Sequence, residues 1–461
     1  MRRFLLSFRS LSNFRLQREL GRRLLGLGHH VAFIYEGGED DFCQLVRAEA
    51  NTLPSDVLAF DVFLSPDRIS PPLRRRSPRR LRSRAVKLAL RRISSAKPFE
   101  QIHGQALAAA NEVLNRTRPD ALIVNEDGIS GHLALITAAR HRDIKILDVP
   151  FGFFVRSEFD ADLARKSALG ELHRPDPKRE SLMRWLAPQW LKRGEFAGAI
   201  MHPDLYILAA EAMGITLEDA WTVHGGVADV LCAESEATAR SYRKEGISSG
   251  KIVITGSPYT DVMFDALAAD AAAKHAFGHA VPIEPDRMRI LVSWPPSYHD
   301  TRPGTNEFPT YEAMTRTVLG ALGKIGGAHI TVSLHPACGP VARQAALDAG
   351  LTPSDEYVVE LIPKHDIYVA SFSSTIRWAT AAGKPVVNYD AYGWNLQQFN
   401  SGGFFNETRF ETLMSRLTEL VGSRQAYRGA AEAQVESAAQ WGIVDGLSTR
   451  RIADTLDRLM R

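Results

Sequence analysis

The chain reads as an α/β protein of two doubly wound, Rossmann-like domains facing a cleft, with a helical insertion in the first. Three observations predict this. Short apolar runs alternate with stretches of helical period from Arg3 to Val149 and again from Val227 to Asp390, the pattern of parallel βαβ units. Between Ala276 and Arg287 the sequence carries Gly, His, Pro and charge without period, and the alternation then restarts at Arg289. At 461 residues there is room for two or three domains.

Taken in order, Arg3 to Phe8 is a first strand, Ser10 to Asn13 a polar turn, and Phe14 to Gly26 a helix with Leu16, Leu20, Leu24 and Leu25 on one face. Gly28 turns the chain into a second strand, Val31 to Tyr35. Leu53 to Ser65 is irregular or a third strand. Phe99 to Arg116 is helical. Ala121 to Val124 is a buried strand ending in Asn125-Glu126-Asp127-Gly128, followed by a helix from Ser130 to His141 and a strand from Lys145 to Val149. Residues 151–223 break the rhythm. They hold Trp185, Trp190 and Trp221, many arginines, and helices at Leu182–Leu191 (interrupted by Pro188) and Leu205–Met213. This insertion is either a small core with a solvated face or a surface that meets glycan or membrane. Val227 to Ser235 is a strand with a polar end, Glu236 to Glu245 a helix, Lys251 to Pro258 a strand and turn, and Tyr259 to Ala273 a helix.

The second domain repeats the pattern. Arg289 to Trp294 is a strand followed by a Pro-rich loop to Pro309. Tyr311 to Ile325 is helical, Ala328 to Leu334 a strand ending at His335-Pro336, Val341 to Ala349 helical, and Tyr357 to Leu361 extended. Asp366 to Asp390 then reads as strand, Ser-rich turn, helix from Ile376 to Ala382, Gly-Lys-Pro turn and strand. Ser371, Ser373, Ser374 and Thr375 stand where that helix begins, as capping residues do, and helix N–H groups with such hydroxyls can hold a phosphate. Helices at Phe410–Val421, Arg424–Gln440 and Thr449–Leu459 close the chain. The expected boundaries are 1–265 for the N-terminal domain, with a basic segment at 68–97 and the insertion at 151–223, a linker near 266–288, 289–445 for the C-terminal domain, and 446–461 as a helix returning to the N-terminal domain.

Composition narrows the function classes. The chain is 45% hydrophobic and 24% charged, and no apolar run reaches the roughly 18 to 20 residues of a membrane span. Phe4-Leu5-Leu6 behind Arg2 and Arg3 is too short for a signal peptide, so a cytoplasmic protein is expected. Cys43, Cys232 and Cys338 are widely spaced and form no metal or disulfide pattern. The net charge of +3 hides an asymmetry: residues 68–92 hold ten arginines and one lysine with no acid, +11, leaving 3 − 11 = −8 for the rest. Arg74, Arg75, Arg76, Arg79 and Arg80 are either a solvated basic face or a patch for anionic lipid headgroups or an anionic acceptor. Without interleaved aromatics or a nucleic-acid motif, no nucleic-acid partner is expected; a homodimer is compatible with the sequence.

In open α/β sheets ligands collect at the carboxyl ends of strands. At such ends the N-terminal domain places Glu126 and Asp127, which serve either as a helix cap or as a general base. The C-terminal domain places Ser293, His335-Pro336 and Ser371 to Thr375. His335 is either a structural histidine or a phosphate ligand. No Walker loop or GxGxxG occurs.

Gly256-Ser257 (within Thr255-Gly256-Ser257-Pro258, with Asp261 following), His335-Pro336 and the 371–385 element resemble nucleotide-sugar proteins of the GT-B fold: the UDP-N-acetylglucosamine 2-epimerase-like group, capsule and lipopolysaccharide glycosyltransferases, and bacterial sialyltransferases. Sialyltransferases and related enzymes using CMP-activated acidic sugars carry acidic-acidic-Gly, His-Pro and Ser-rich motifs, and Glu126-Asp127-Gly128, His335-Pro336 and Ser373-Ser374 match them in order. The resemblance implies a metal-independent, inverting transferase without a resident cofactor. Its donor is a CMP- or UDP-linked sugar, and its acceptor a surface glycan, lipid-linked or protein group. By that resemblance Asp127 is the base with Glu126 beside it, His335 assists departure of the nucleotide, and Gly256, Ser257, Ser293, Pro336, Ser371, Ser373, Ser374 and Thr375 hold the donor. The epimerases place a glutamate after the next strand, where this chain has Pro150-Phe151-Gly152. That departure favours transfer over epimerisation, and a non-catalytic nucleotide-sugar-binding protein is the third possibility.

Overall fold

The computed structural model describes residues 1–35, 58–60, 96–128, 133–152, 156–269, 287–335, 337–395, 399 and 401–461. The arginines at 74–80, Pro336 and most of the expected linker lie outside the described residues. No helix among those described is long and apolar enough to cross a membrane.

The chain divides into two units. Unit 1 comprises residues 1–233, 238–255 and 449–461; unit 2 comprises 234–237 and 256–448. The boundary expected at 265 therefore moves to 256. The helix that follows it (α8, Pro258–Ala269) counts with unit 2, where its Tyr259 ring packs 4.9 Å from Trp378.

Unit 1 is built on a seven-stranded parallel sheet of order β3-β2-β1-β4-β5-β6-β7. Its strands are β1 (Arg3–Phe8), β2 (His30–Tyr35), β3 (Leu58–Phe60), β4 (Ala121–Val124), β5 (Lys145–Asp148), β6 (Val230–Ala233) and β7 (Ile252–Ile254). The inner strands are apolar at nearly every position because helices cover both faces of a parallel sheet. Helix α1 (Leu11–Gly26) follows β1, α2 (Lys97–Thr117) precedes β4, and α3 (Leu133–Arg140) follows it. Strand order reverses between β1 and β4.

The insertion supplies α4 (Arg156–Ala168), α5 (Glu180–Leu186) and α6 (Asp204–Met213). Its buried residues, from Leu163 to Trp221, join the same apolar cluster as Leu5, Leu122 and Ile146 of the sheet. Trp190 and Trp221 are core residues at 1% and 2% exposure, with their indole N–H groups donating to Glu211 and to the Trp190 carbonyl. The insertion is thus an extension of the sheet's own core. Helix α7 (Glu236–Lys244) lies between β6 and β7.

Unit 2 carries a six-stranded parallel sheet of order β10-β9-β8-β11-β12-β13: β8 (Met288–Trp294), β9 (Ala328–Leu334), β10 (Thr352–Ser354), β11 (Ile367–Ala370), β12 (Val386–Tyr389) and β13 (Phe404–Glu407). Its order reverses between β8 and β11. Helices α9 (Tyr311–Leu322), α10 (Pro340–Asp348), α11 (Val358–Leu361), α12 (Ile376–Ala381), α13 (Phe410–Gly422) and α14 (Arg424–Trp441) complete it. The run expected as extended at 357–361 is this short α11, and the edge strand lies just before it at β10. Short apolar runs do not distinguish the two states. The last helix, α15 (Ser448–Leu459), counts from Thr449 with unit 1, where Arg451 Nε donates to the Thr255 carbonyl at 2.7 Å.

Candidate active site

In unit 2 the three expected turns leave neighbouring parallel strands. Ser293 of β8 is in register with Ser333 of β9 and Ala370 of β11, so the 293–294, 335 and 371–375 segments share one edge of the sheet around the strand-order reversal. The serines do not cap α12 as expected. Its N-cap, Thr375, makes no side-chain cap bond, and the helix is six residues long, too short to carry a helix-end phosphate site. The hydroxyls bind one another instead. Ser373 Oγ lies 2.5 Å from Thr375 Oγ1, and Thr375 Oγ1 meets the Tyr368 hydroxyl. Ser293 and Ser373 also bond that buried phenol, whose pKa rises through burial. Ser371 is buried, and its Oγ has no protein partner.

Phe372 takes the left-handed backbone conformation, with φ +45°, an unusual place for a bulky residue. Its N–H donates to Asn388 Oδ1 at 3.2 Å, and its ring stacks on Trp394 at 3.8 Å. Trp394 is held by the turn after β12, where the Asp390 carboxylate accepts the N–H groups of Trp394 and Asn395 at 2.7 and 2.6 Å. The Arg302 guanidinium covers the same indole at 4.1 Å, and Tyr298 packs edge-on to Phe372 and Trp394. This aromatic wall escaped sequence reasoning; Tyr298-His299 in the Pro-rich loop and Tyr392-Gly393-Trp394 after β12 were its only signals.

His335 is exposed, and the Ala337 N–H donates to its Nδ1 at 3.1 Å. That bond leaves the proton of the neutral ring on Nε2, a donor free of this contact. Partial burial pushes its pKa down. The 256–261 segment is occupied by structure. Ser257 Oγ accepts the Tyr259 N–H at 3.2 Å, and Asp261 Oδ1 accepts the Ser448 N–H at 2.8 Å. Gly256, at φ +78°, makes the turn. Helix α12 carries no acidic residue, and Glu234 supplies one. Its carboxylate takes Arg377 Nε at 2.5 Å and Trp378 Nε1 at 2.7 Å, with Arg377 only 1% exposed.

In unit 1 the Glu126-Asp127-Gly128 turn separates into distinct tasks. Gly128 is required because a Cβ there would lie 2.0 Å from the Thr222 carbonyl oxygen. Asp127 has 0% exposure. Its Oδ1 accepts the Gly226 N–H at 2.9 Å, and its Oδ2 accepts those of Val227 and Ala228 at 2.7 and 2.6 Å. It anchors the turn into β6, which is why the strand expected from Val227 begins only at Val230. Burial first, and the neighbouring Asp148 second, push its pKa up to about 6.

Asp148, at the end of β5, is equally buried. Its pKa is also raised well above the usual range, by burial first and then by Glu126, and its Oδ2 lies 2.9 Å from His224 Nδ1, while its Oδ1 has no protein partner. The buried Asp148 charge is, after burial itself, what holds Asp127 above the ordinary carboxylate range. Glu126 is the part-exposed member of the motif. Burial raises its pKa, while His224 and Arg9 pull against that rise and Asp127 adds to it.

No family model and no curated protein matches the chain. Its fold matches that of UDP-GlcNAc 2-epimerase from Neisseria meningitidis bound to UDP-GlcNAc (14% identity, 99% of this chain and 100% of that one, TM-score 0.54). It likewise matches the S. aureus MnaA–UDP structure (13%, 100% and 97%, TM-score 0.54) and the wall teichoic acid polymerase TagF (12%, 100% and 89%, TM-score 0.52). The chain has the GT-B fold. At these identities the likeness carries the fold alone. The expectation of two Rossmann-like units with a helical insertion in the first is met.

Proposed function

We propose that this GT-B protein is a glycosyltransferase that moves a sugar from a CMP- or UDP-linked donor to a surface glycan, lipid-linked or protein acceptor, by single displacement with inversion and without a metal. The observation that carries the reading is the division of labour in the acidic motif. Asp127 is spent on three backbone N–H groups, which leaves Glu126, part-exposed and with a raised pKa, as the base. A carboxylate whose pKa sits closer to neutrality is better matched to abstract a hydroxyl proton. In this reading Glu126 takes the acceptor proton and the acceptor oxygen bonds to the anomeric carbon. The bond from that carbon to the donor phosphate breaks, and the phosphate departs with the electron pair. His335 Nε2–H and the hydroxyls around Ser373 stabilise the charge that develops on it.

An epimerase of this fold that removes and returns a proton needs accessible carboxylates at the strand ends. Here Phe151 stands where one is expected, and Asp127 and Asp148 are sealed. The test is incubation with CMP-, UDP-, GDP- and CDP-sugars, with and without cell-surface glycan, following free nucleotide and sugar identity. Acceptor-dependent nucleotide release supports transfer. Interconversion of the free nucleotide sugar without acceptor overturns it in favour of epimerisation, and binding without turnover in favour of a sensor. The basic segment at 68–97 is assigned to an anionic membrane surface on the cytoplasmic side; failure to bind anionic liposomes at low salt removes that assignment.

A further inference from the structure

The strand-order reversal of unit 1 holds a second set of polar groups that the proposed chemistry does not use. Helix α1 begins there. Ser10 caps it, accepting the Asn13 N–H at 3.1 Å and donating its hydroxyl to Asn13 Oδ1 at 2.7 Å. The helix is 16 residues long with no acidic residue in its first turn, and Arg9 stands just ahead of the cap. Its positive end is therefore doubly cationic.

Asn13 is only 7% exposed, yet its Nδ2 has no protein partner. One turn on, on the same face, Gln17 is fully buried and its Oε1 is also unpartnered. Gln17 Nε2 donates to the Ser7 carbonyl of β1 at 3.2 Å, which lays this face over the carboxyl end of that strand. Asn125, next to β4, leaves its Oδ1 unpartnered at 3% exposure. Orphaned buried amides are rare and call for a partner. From the insertion, the His202 and Tyr206 rings pack at 4.8 Å and His103 closes on Tyr206 at 4.3 Å. The Arg9 charge acts on His202, Tyr206 and Glu126, which puts each of the three within electrostatic reach of Arg9.

We propose that these residues bind an anionic, hydroxyl-bearing small molecule, its carboxylate or phosphate held by Arg9 and Asn13 Nδ2 at the start of α1 and its hydroxyls by Gln17 Oε1 and Asn125 Oδ1. His202 and Tyr206 add a donor wall, and Glu126 is the opposing charge that sets how closely an anion can sit. That this ligand is the acidic end of the acceptor rests on the transferase reading; the binding itself does not.

The experiment uses the full chain without donor and measures calorimetric affinity for glucuronate, inorganic phosphate, acetate and glucose. Glucuronate binds more tightly than acetate, because it engages both halves of the site, and glucose does not bind. Comparison of glucuronate with phosphate tells a carboxylate from a phosphate preference. Arg9→Gln and Asn13→Asp each weaken glucuronate by roughly tenfold or more, the scale of a lost charge-assisted hydrogen bond, and Glu126→Gln tightens it. No heat with either anion at tens of millimolar, or wild-type affinity in Arg9→Gln, overturns the site. Equal affinity for acetate and glucuronate overturns its hydroxyl half. Asn13→Ala also removes the Oδ1 acceptor of Ser10, so Asn13→Asp, which keeps that acceptor, guards against misreading a folding defect: it keeps the native melt and still loses affinity. A chain that binds glucuronate but transfers no sugar sinks the transferase reading and leaves this site standing; one that transfers sugar while ignoring the anions does the reverse.

Discussion

Replacing Asp127 by Asn separates an anchor from a base. In the wild type, burial and Asp148 raise the Asp127 pKa from 3.8 to about 6. The folded protein thus holds a proton that the unfolded chain has already released. Stability is full below the unfolded value and is lost as pH rises through the folded one. A shift of this size corresponds to about 3 kcal/mol lost between about pH 4 and pH 7, shared by the coupled pair rather than owned by one residue. In Asp127→Asn the amide oxygen can keep the two N–H groups of Val227 and Ala228, but the amide nitrogen then faces the Gly226 N–H. That buried donor, left unpaired, costs about 1–3 kcal/mol. The variant also removes one charge beside Asp148, so its own loss at high pH is smaller. It is therefore less stable than wild type near pH 5, and the gap narrows or closes near pH 8. Urea titrations at the two pH values, read by hydrogen exchange over residues 223–233, report unit 1 specifically. A wild type no more stable in acid than in base would refute the raised pKa of Asp127. An Asp127→Asn protein with native protection and no transfer, beside an active Glu126→Gln protein, would return the base to Asp127.

Glu126→Gln keeps the native fold and loses about 10²- to 10⁴-fold in transfer rate, the usual yield of a positioned base. In the wild type the rate falls as pH drops through the raised Glu126 pKa, which a pH–rate profile locates above the ordinary carboxylate range. His335→Ala lowers kcat by about 10²-fold, as expected for one lost donor to developing charge, and His335→Gln, which can place an amide N–H near Nε2, restores part of it in single-turnover assays. Glu234→Ala leaves the buried Arg377 without its carboxylate and destabilises unit 2 by about 3–5 kcal/mol in denaturant titrations, while Glu234→Gln costs less. Ser371→Ala removes a hydroxyl with no protein partner; it leaves the melting temperature unchanged and weakens nucleotide binding by calorimetry.

The two sheets were legible because parallel strands covered on both faces must be apolar throughout, and Ala121–Val124 or Ile367–Ala370 can be little else. Edge and connecting segments carried less signal. Phe404–Glu407 escaped notice because an edge strand needs only one apolar side. Val358–Leu361 was misread because four apolar and charged residues fit either period. At the site, sequence could nominate Glu126 and Asp127 together but not rank them, since which carboxylate is sealed depends on a turn 99 to 101 residues away. The serines of 371–375 were legible as hydroxyls at a strand end. Their bonding to Tyr368 was not, because alternation alone marks that tyrosine only as a buried strand residue. The partner of Arg377 is 143 residues distant, beyond any local rule.

The buried polar atoms without protein partners tie these observations together. Among the described residues they belong to Asn13, Gln17, Asn125, Asp148, Ser371 and Trp394, with His29 besides. All but His29 lie at or against the carboxyl end of a sheet. Asn13 and Gln17 flank the reversal in unit 1, Asn125 and Asp148 end its next two strands, Ser371 follows β11 at the reversal in unit 2, and Trp394 sits in the turn after β12. Each would cost about 1–3 kcal/mol if left dry, and a chain has no reason to concentrate that cost at one kind of place unless something fills it. Ordered water would serve one atom as well as another. It would not explain why, in unit 1, the unpartnered donor of Asn13 is in the first turn of α1, four residues after Arg9, while the unpartnered acceptors of Gln17 and Asn125 come one turn further on and after β4. The ligand proposed for unit 1, with its charge at one end and hydroxyls along its length, accounts for that order.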